Sequence, residues 1–488
     1  MRSCILFCLS SLLLHDYFLV VDAAKILVYC PSISKSHVLL CSKYADLLHN
    51  AAHDTVLFIP SYSSLLNDYD GARHAKVWRL HNVTEAFDKE LDSLANVMDD
   101  SHIGFIDRLT FDVDFWMESC EDLVKQIHRL QHLKDYNFDL AIYNDIDPCS
   151  PAVVRWLNIN KTVLLSSEAI MDKISWDLGL PTLPSYVPSV EENPNHDRMS
   201  FIERMSNVYK HFQSIVVHYL QERRVLHLFR KYISLDYPPI TEIIRNVSLV
   251  LVNSDEIFDL SRPYSQKFVY VGMIGSEKNN DVLPELSIYN AIQNLPDYHF
   301  VIKTTPDDNS TAQLFANCKN VDFVNWVPQS AILKHKNLKL FVSHGGMNSV
   351  LETMYYGVPM VIMPVFTDQF RNGKNVERRG VGKVILRHTV VTETFYKVIK
   401  DVLNDETYEK SAKRLSNMMK TRPFTPEERV SKWINFVLDH DTFDNFHLES
   451  NNLSFIEHNQ LDVFCVFIVL PLITYYVFKR ILSNSYSK

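Results

Sequence analysis

The chain has 488 residues, 47% of them hydrophobic and 22% charged, which is enough for two or three domains with ordinary cores. Its net charge of −9 excludes the broad basic footprint of a general nucleic-acid binder. Eleven glycines and 20 prolines exclude collagen and low-complexity disorder.

In chain order, Arg2 precedes an apolar run, Cys4 to Leu14. A second run, Tyr17 to Val21, leads to Ala23 and Ala24, so residues 1–23 read as a secretory signal cleaved near Ala23. Lys25–Cys30 is a short apolar strand, and a helical pattern follows from about His37 to His49. Thr55–Ile59, Phe138–Tyr143 and Thr162–Leu165 read as further strands. Residues 177–195 are proline-rich and irregular, and 201–232 form a long helical stretch of aromatic and bulky apolar residues. Such a stretch serves core packing or a membrane surface. A second alternating region starts near Ser248, with strands at Leu249–Val252, Phe268–Val271, Phe300–Lys303, Leu340–Ser343 and Met360–Met363. Residues 430–440 form another helix. Leu461–Phe478 is an apolar run long enough to span a bilayer, and Lys479-Arg480 flank it in the positive-inside pattern.

Strands alternating with helices predict an α/β fold of parallel sheets, arranged as two facing Rossmann-like domains. The expected divisions are signal 1–23, N-terminal domain 24–250, C-terminal domain 251–430, closing helix and membrane-proximal segment 431–460, transmembrane helix 461–478 and cytosolic tail 479–488. Signal and span together predict a single-pass type I membrane protein whose body is lumenal or extracellular. Outside signal and span, the cysteines are Cys30, Cys41, Cys120, Cys149 and Cys318, too widely spaced for a disulfide framework or a zinc site. Glycosylation sequons stand at Asn82, Asn160, Asn246, Asn309 and Asn452, so a glycoprotein is expected.

The chemistry concentrates between Trp326 and Gln369. Leu340–Ser343 reads as a buried strand, and Gly345-Gly346 permits a tight turn. Asn348 and Ser349 are good N-cap residues, with Glu352 one turn further on. Strand, glycine turn and helix N-terminus make an anion site suited to phosphate. His344 adds a donor for a diphosphate, and a carboxylate one turn inside accepts from ribose hydroxyls.

The run Trp326-Val-Pro-Gln329, His344-Gly-Gly-x-Asn348-Ser-x-x-Glu352, Pro359-x-x-x-x-Pro364 and Asp368-Gln369 resembles the donor signature of the UDP-glucuronosyltransferases and their UDP-glycosyltransferase relatives. Ser185-Tyr186-Val187-Pro188 and Trp433-Ile-Asn-Phe436-Val437 resemble further family segments. The resemblance implies a GT-B fold without metal or other cofactor, the UDP-sugar being a co-substrate. It implies that Trp326 stacks on uracil, Gln329 bonds its edge, and His344, Gly346, Asn348 and Ser349 meet the diphosphate. Glu352 then holds the ribose, and Asp368-Gln369 the sugar hydroxyls. The implied reaction is inverting transfer of glucuronate or glucose to a hydroxyl of a small lipophilic acceptor, as in detoxification. Endoplasmic-reticulum residence and a homodimer are implied by resemblance alone.

The family's general base matches His37, and an acidic residue orients it. Direct alignment puts Asn144 at that acidic position, with Asp145 beside it as the candidate and Asp147 beyond. Asp145-x-Asp147 also resembles a metal-binding pattern, which nothing else in the sequence supports. One departure stands out. The family's donor domain opens with an apolar strand and a Phe-Ser-x-Gly-Ser loop, whereas here Val271–Ser276 runs almost directly into a helical stretch, Leu283–Leu295. Either a central strand has been lost, or Phe268–Ser276 replaces it. A degenerate relative that binds nucleotide or ligand, or regulates a partner, without turnover is the alternative function.

Overall fold

The computed structural model describes residues 23–486 except 89–104, 191–192, 273, 275–291, 304–317, 325–326, 366 and 387–391. The expected signal, residues 1–23, and Trp326 therefore lie almost wholly outside the described residues.

The first half is one seven-stranded sheet in the order β3-β2-β1-β4-β5-β6-β7. Its strands are β1 (Lys25–Tyr29), β2 (Asp54–Pro60), β3 (Lys76–Leu80), β4 (Leu140–Asn144), β5 (Lys161–Ser166), β6 (Leu249–Val252) and β7 (Phe268–Tyr270). All neighbours pair parallel, with Tyr29 of β1 between Phe58 of β2 and Tyr143 of β4. Both faces are covered, so the strands carry near-continuous apolar runs instead of alternation. The sequence assigned Leu249–Val252 and Phe268–Val271 to the second half. They complete the first sheet instead, so the boundary expected at 250–251 falls within it. A short parallel strand reads alike whichever sheet receives it, which is why the sequence misplaced them.

Helix α1 (Lys35–Asn50) follows β1, and α2 (Phe105–Lys125) precedes β4. Then come α3 (Ser150–Trp156), α4 (Asp172–Asp177) and the long α5 (Phe201–Tyr232), whose span coincides with the sequence expectation. Ser200 and Glu203 close a capping box at the start of α5. A Cys120–Cys149 disulfide joins the end of α2 to the N-cap of α3. The sequence expectation of no disulfide framework did not foresee it, because widely spaced cysteines reveal no pairing.

The second half contains β8 (Phe300–Lys303), β9 (Val321–Val324), β10 (Phe341–Ser343), β11 (Met360–Ile362) and β12 (Gly382–Val384), with α6 (Met347–Tyr356) and α7 (Gln369–Arg378). Among the described residues these strands form two groups, β8-β9 and β10-β11-β12. Both groups contribute to one apolar layer, where Phe300, Ile302 and Phe323 pack with Val361 and Met363. The flanking strands β8 and β10 are only half-buried for most of their length, whereas β11 is fully buried. Within the expected replacement Phe268–Ser276, Phe268–Tyr270 pairs with β6 in the first sheet, and residues 273, 275 and 276 lie outside the described residues.

Helix α8 (Pro426–Asp439) returns to the first half, where Val430, Ile434 and Val437 join the apolar cluster that includes Ile26 and Val28. The chain ends in α9 (Leu461–Tyr486), of which Leu461–Leu482 is long and apolar enough to cross a membrane and buries nothing against the fold.

Candidate active site

The expected strand, glycine turn and helix are present, but the helix starts earlier than the sequence suggested, so Asn348 and Ser349 lie in its first turn and are not its N-cap. β10 ends at Ser343, and α6 starts at Met347 with Gly346 as its N-cap. Gly345 has φ of 93°, a left-handed conformation that suits glycine. A Cβ there would lie 2.6 Å from Ile362 Cγ2. A Cβ on Gly346 would lie 2.7 Å from His344 Nε2, so the second glycine leaves room for the imidazole. The first turn of α6 thus opens beside a histidine, and a helix N-terminus directs backbone N–H groups toward whatever lies before it.

Glu352 is buried one turn and a half into α6. Gln329 donates from its amide to one carboxylate oxygen, and Ser330 Oγ donates to the other at 3.2 Å. Gln329 also reaches Ser349 Oγ at 3.4 Å. Three predicted residues, Gln329, Ser349 and Glu352, therefore form one buried group. Asp368 and Gln369 open α7 on the other side of the turn, after Thr367, whose φ of 49° marks local backbone strain. Gln369 Oε1 accepts from the Val365 N–H at 2.8 Å. Asn372 donates to Asp368 at 2.6 Å and to the Gly345 carbonyl at 3.0 Å, locking α7 to the glycine turn. Burial raises the pKa of Asp368, opposed by the Asn372 bond and by His344 nearby.

His37 stands at the third position of α1, capped by Ser34. Its Nδ1 lies 2.7 Å from Ser34 Oγ, which also accepts from the His37 backbone N–H at 3.3 Å. Ser36 Oγ, 2.9 Å from Ser34 Oγ, extends this chain. If Nδ1 carries the proton and donates to Ser34, Nε2 keeps its lone pair and can take a proton from a hydroxyl. Burial pushes the imidazole pKa down to about 4, so the ring is neutral at pH 7.

The acidic candidates are occupied elsewhere. Asp145 accepts from Ser166 Oγ at 2.5 Å and from the Ser167 N–H at 3.2 Å. Asp147 accepts from the Tyr29 and Tyr62 hydroxyls at 3.0 and 3.1 Å, and from the Cys149 N–H at 2.8 Å. Asn144 donates to Ser167 Oγ at 2.6 Å. Among the described residues, the hydrogen bond at the His37 ring is with Ser34. The sequence signal for Ser34 was its place as N-cap three residues ahead of a histidine.

The two halves meet at these strand ends. Asn253, just beyond β6, donates to the Ser167 carbonyl at 2.8 Å and to Asn348 Oδ1 at 3.0 Å. Asn348 in turn sits in the first turn of α6, so a polar chain runs from the Asn144 end of β4 to the donor turn. Arg371 is buried and ion-paired with Asp259 at 2.7 Å, and Arg422 pairs with Asp255. Asn253 carried no sequence signal, because its partner lies 95 residues away.

Comparison with known proteins decides the family. The sequence matches the family described as UDP-glucoronosyl and UDP-glucosyl transferase over residues 24–293 and 308–488. The chain belongs to this family. The Caenorhabditis elegans protein ugt-50, which carries a UDP-glucuronosyltransferase name, is 67% identical over 98% of this chain and 97% of its own. The mouse 2-hydroxyacylsphingosine 1-beta-galactosyltransferase is 26% identical over 96% of this chain and 89% of its own. The solved structure of Medicago truncatula UGT71G1 complexed with UDP-glucose has a TM-score of 0.58 at 15% identity, covering 86% of this chain and 99% of that one. The glycotransferase of kitacinnamycin gives 0.59 at 16% identity, covering 85% and 99%. The fold of this UDP-glycosyltransferase family member is therefore GT-B, as the sequence resemblance implied.

Proposed function

We propose that the chain transfers glucuronate or glucose from a UDP-sugar to a hydroxyl of a small lipophilic acceptor, with inversion at the anomeric carbon. The observation that carries this reading is the Gln329–Glu352–Ser330 group set beneath the His344-Gly345-Gly346 turn. In this reading Trp326 and Gln329 hold uracil, Glu352 holds the ribose, and His344 with the α6 N-terminus receives the diphosphate. Asp368 and Gln369 bind sugar hydroxyls. His37 Nε2 removes the acceptor proton, the acceptor oxygen attacks the anomeric carbon, and UDP leaves on the opposite face. Fixed N–H groups at the leaving diphosphate stabilise charge as it develops. A relative named for a sphingosine-based acceptor supports the lipophilic class. The reading includes a lumenal body anchored in the endoplasmic-reticulum membrane by α9.

A panel of lipophilic alcohols and phenols incubated with UDP-glucuronate and UDP-glucose tests it. Sugar transfer that His37→Ala abolishes while UDP still binds supports the reading. A panel without transfer, from a chain that binds UDP, supports the second one. That second reading is a binder or regulator without turnover. The grouping of the described strands into β8-β9 and β10-β11-β12 favours it, as does Asn144 at the family's acidic position.

A further inference from the structure

Helix α5 is apolar on two opposite faces. Its inner face buries Ser214, Val217, Gln221, Val225 and Phe229 against the first half. Its outer face carries Phe201, Met205, Val208, Tyr209, Phe212 and Tyr219, each between 48% and 65% exposed. At 100° per residue these six lie within one stripe, about 27 Å long at 1.5 Å per residue. The charged residues of this stretch, Glu203, Arg204 and Lys210, fall to the sides or back of that stripe. Singly scattered apolar residues need no explanation on a soluble surface, but a continuous stripe does.

The position of α5 indicates what covers the stripe. α4 contacts α5 twice through polar side chains: His211 Nδ1 lies 2.9 Å from Asp172 Oδ1, and Lys173 ion-pairs with Glu222 at 2.5 Å. The segment that leads into α9 docks on this same α4. Ser450 Oγ donates to the Gly179 carbonyl at 2.6 Å, and the His458 ring lies 6.2 Å from the Trp176 ring. The apolar span thus leaves the fold beside the helix next to α5.

We propose that the outer face of α5 lies against a lipid surface, in the plane of the interface, as a second membrane contact beside α9. This inference rests on the reading of α9 as a membrane span. An interfacial helix buries an apolar stripe at the boundary of headgroups and acyl chains, and tyrosines favour that depth. Arg223, which follows Tyr219 by one turn on the same stripe, then faces the headgroups.

The test uses the full chain reconstituted in phosphatidylcholine vesicles doped with a lipid carrying a diazirine in its acyl chain. After photolysis, labelled peptides are mapped by mass spectrometry. The expected result is lipid label on α9 and on the 201–219 segment of α5. In a Met205→Glu/Phe212→Glu variant the α5 label falls at least tenfold and the α9 label is unchanged. Label on α9 alone overturns the proposal while leaving the span reading intact, and label on neither overturns both. Cross-linking of α5 to a second copy of the chain without lipid label also overturns it, as does a variant whose α5 label persists.

Discussion

At the residue scale, His37 and Glu352 carry the most specific consequences. His37→Ala should lower turnover by about 10²–10⁴-fold while UDP affinity in calorimetry stays unchanged, since the proposed reaction uses the imidazole on the acceptor side. Protonated imidazole cannot act as a base, and burial holds its pKa down to about 4. The kcat/KM profile should therefore stay level from pH 7 to about pH 5 and decline below that, as far as the base governs it. The same shift acts on stability. The unfolded ring protonates near ~6.5 and the folded ring only near 4, so the folded chain loses stability as pH falls through that window. Ser34→Ala should lower kcat by about tenfold with KM unchanged, because the Nδ1 partner that fixes the tautomer is lost. Among the candidate donor residues, Gly346, Ser349 and Glu352 were legible from spacing because they lie within one strand–turn–helix unit, whereas Gln329, Asp368 and Gln369 were named through the family resemblance. Ser34, Asn253 and Asn372 were passed over. Their roles depend on partners that only the folded strand ends bring near, although Asn372 lies one helical turn from Asp368.

At the scale of elements, the glycine turn and the disulfide make separate predictions. Gly345→Ala places a side chain at φ of 93° and against Ile362, so it should cost about 1–3 kcal/mol in denaturant unfolding and weaken UDP binding. Cys120→Ser opens a loop with a sequence separation of 29 and should cost ~2–4 kcal/mol in the same measurement. Its effect on UDP affinity should be small, because the disulfide lies in the first half, away from the donor turn. Helix 201–232 was legible from its length and its recurrent aromatic and bulky apolar residues, and its two faces became distinguishable only in three dimensions. The short strands β6 and β7 were legible as strands but not as members of the first sheet. Each is buried on both faces, so neither carries an alternation that would reveal its neighbours.

For the whole molecule, the seven-stranded first sheet, the returning helix α8 and the two strand groups of the second half define one question. The donor residues converge on β10, α6 and α7, all within the β10-β11-β12 group or attached to it. The bond from Asn372 to Gly345 does not pass through β8 or β9, whereas Gln329, bonded to Glu352, follows β9 by five residues. The polar chain through Asn253 and Asn348 fixes α6 against the first half independently as well. The turn and α7 are therefore held by contacts independent of β8-β9, and a working UDP site is expected. The sequence showed the departure from the family pattern at Val271–Ser276. It could not show whether the site depends on that segment, because the answer lies in hydrogen bonds between distant residues.

Calorimetric titration of UDP into the detergent-solubilised full chain, with Glu352→Ala alongside, tests this most directly. Loss of a buried carboxylate that pairs with Gln329 and Ser330 costs about 1–3 kcal/mol, or roughly 5- to 150-fold in affinity. The account predicts saturable one-site binding in the parent chain, weakened by that factor in the variant. A folded parent chain that takes up no UDP, or a variant that binds as tightly as the parent, would contradict it.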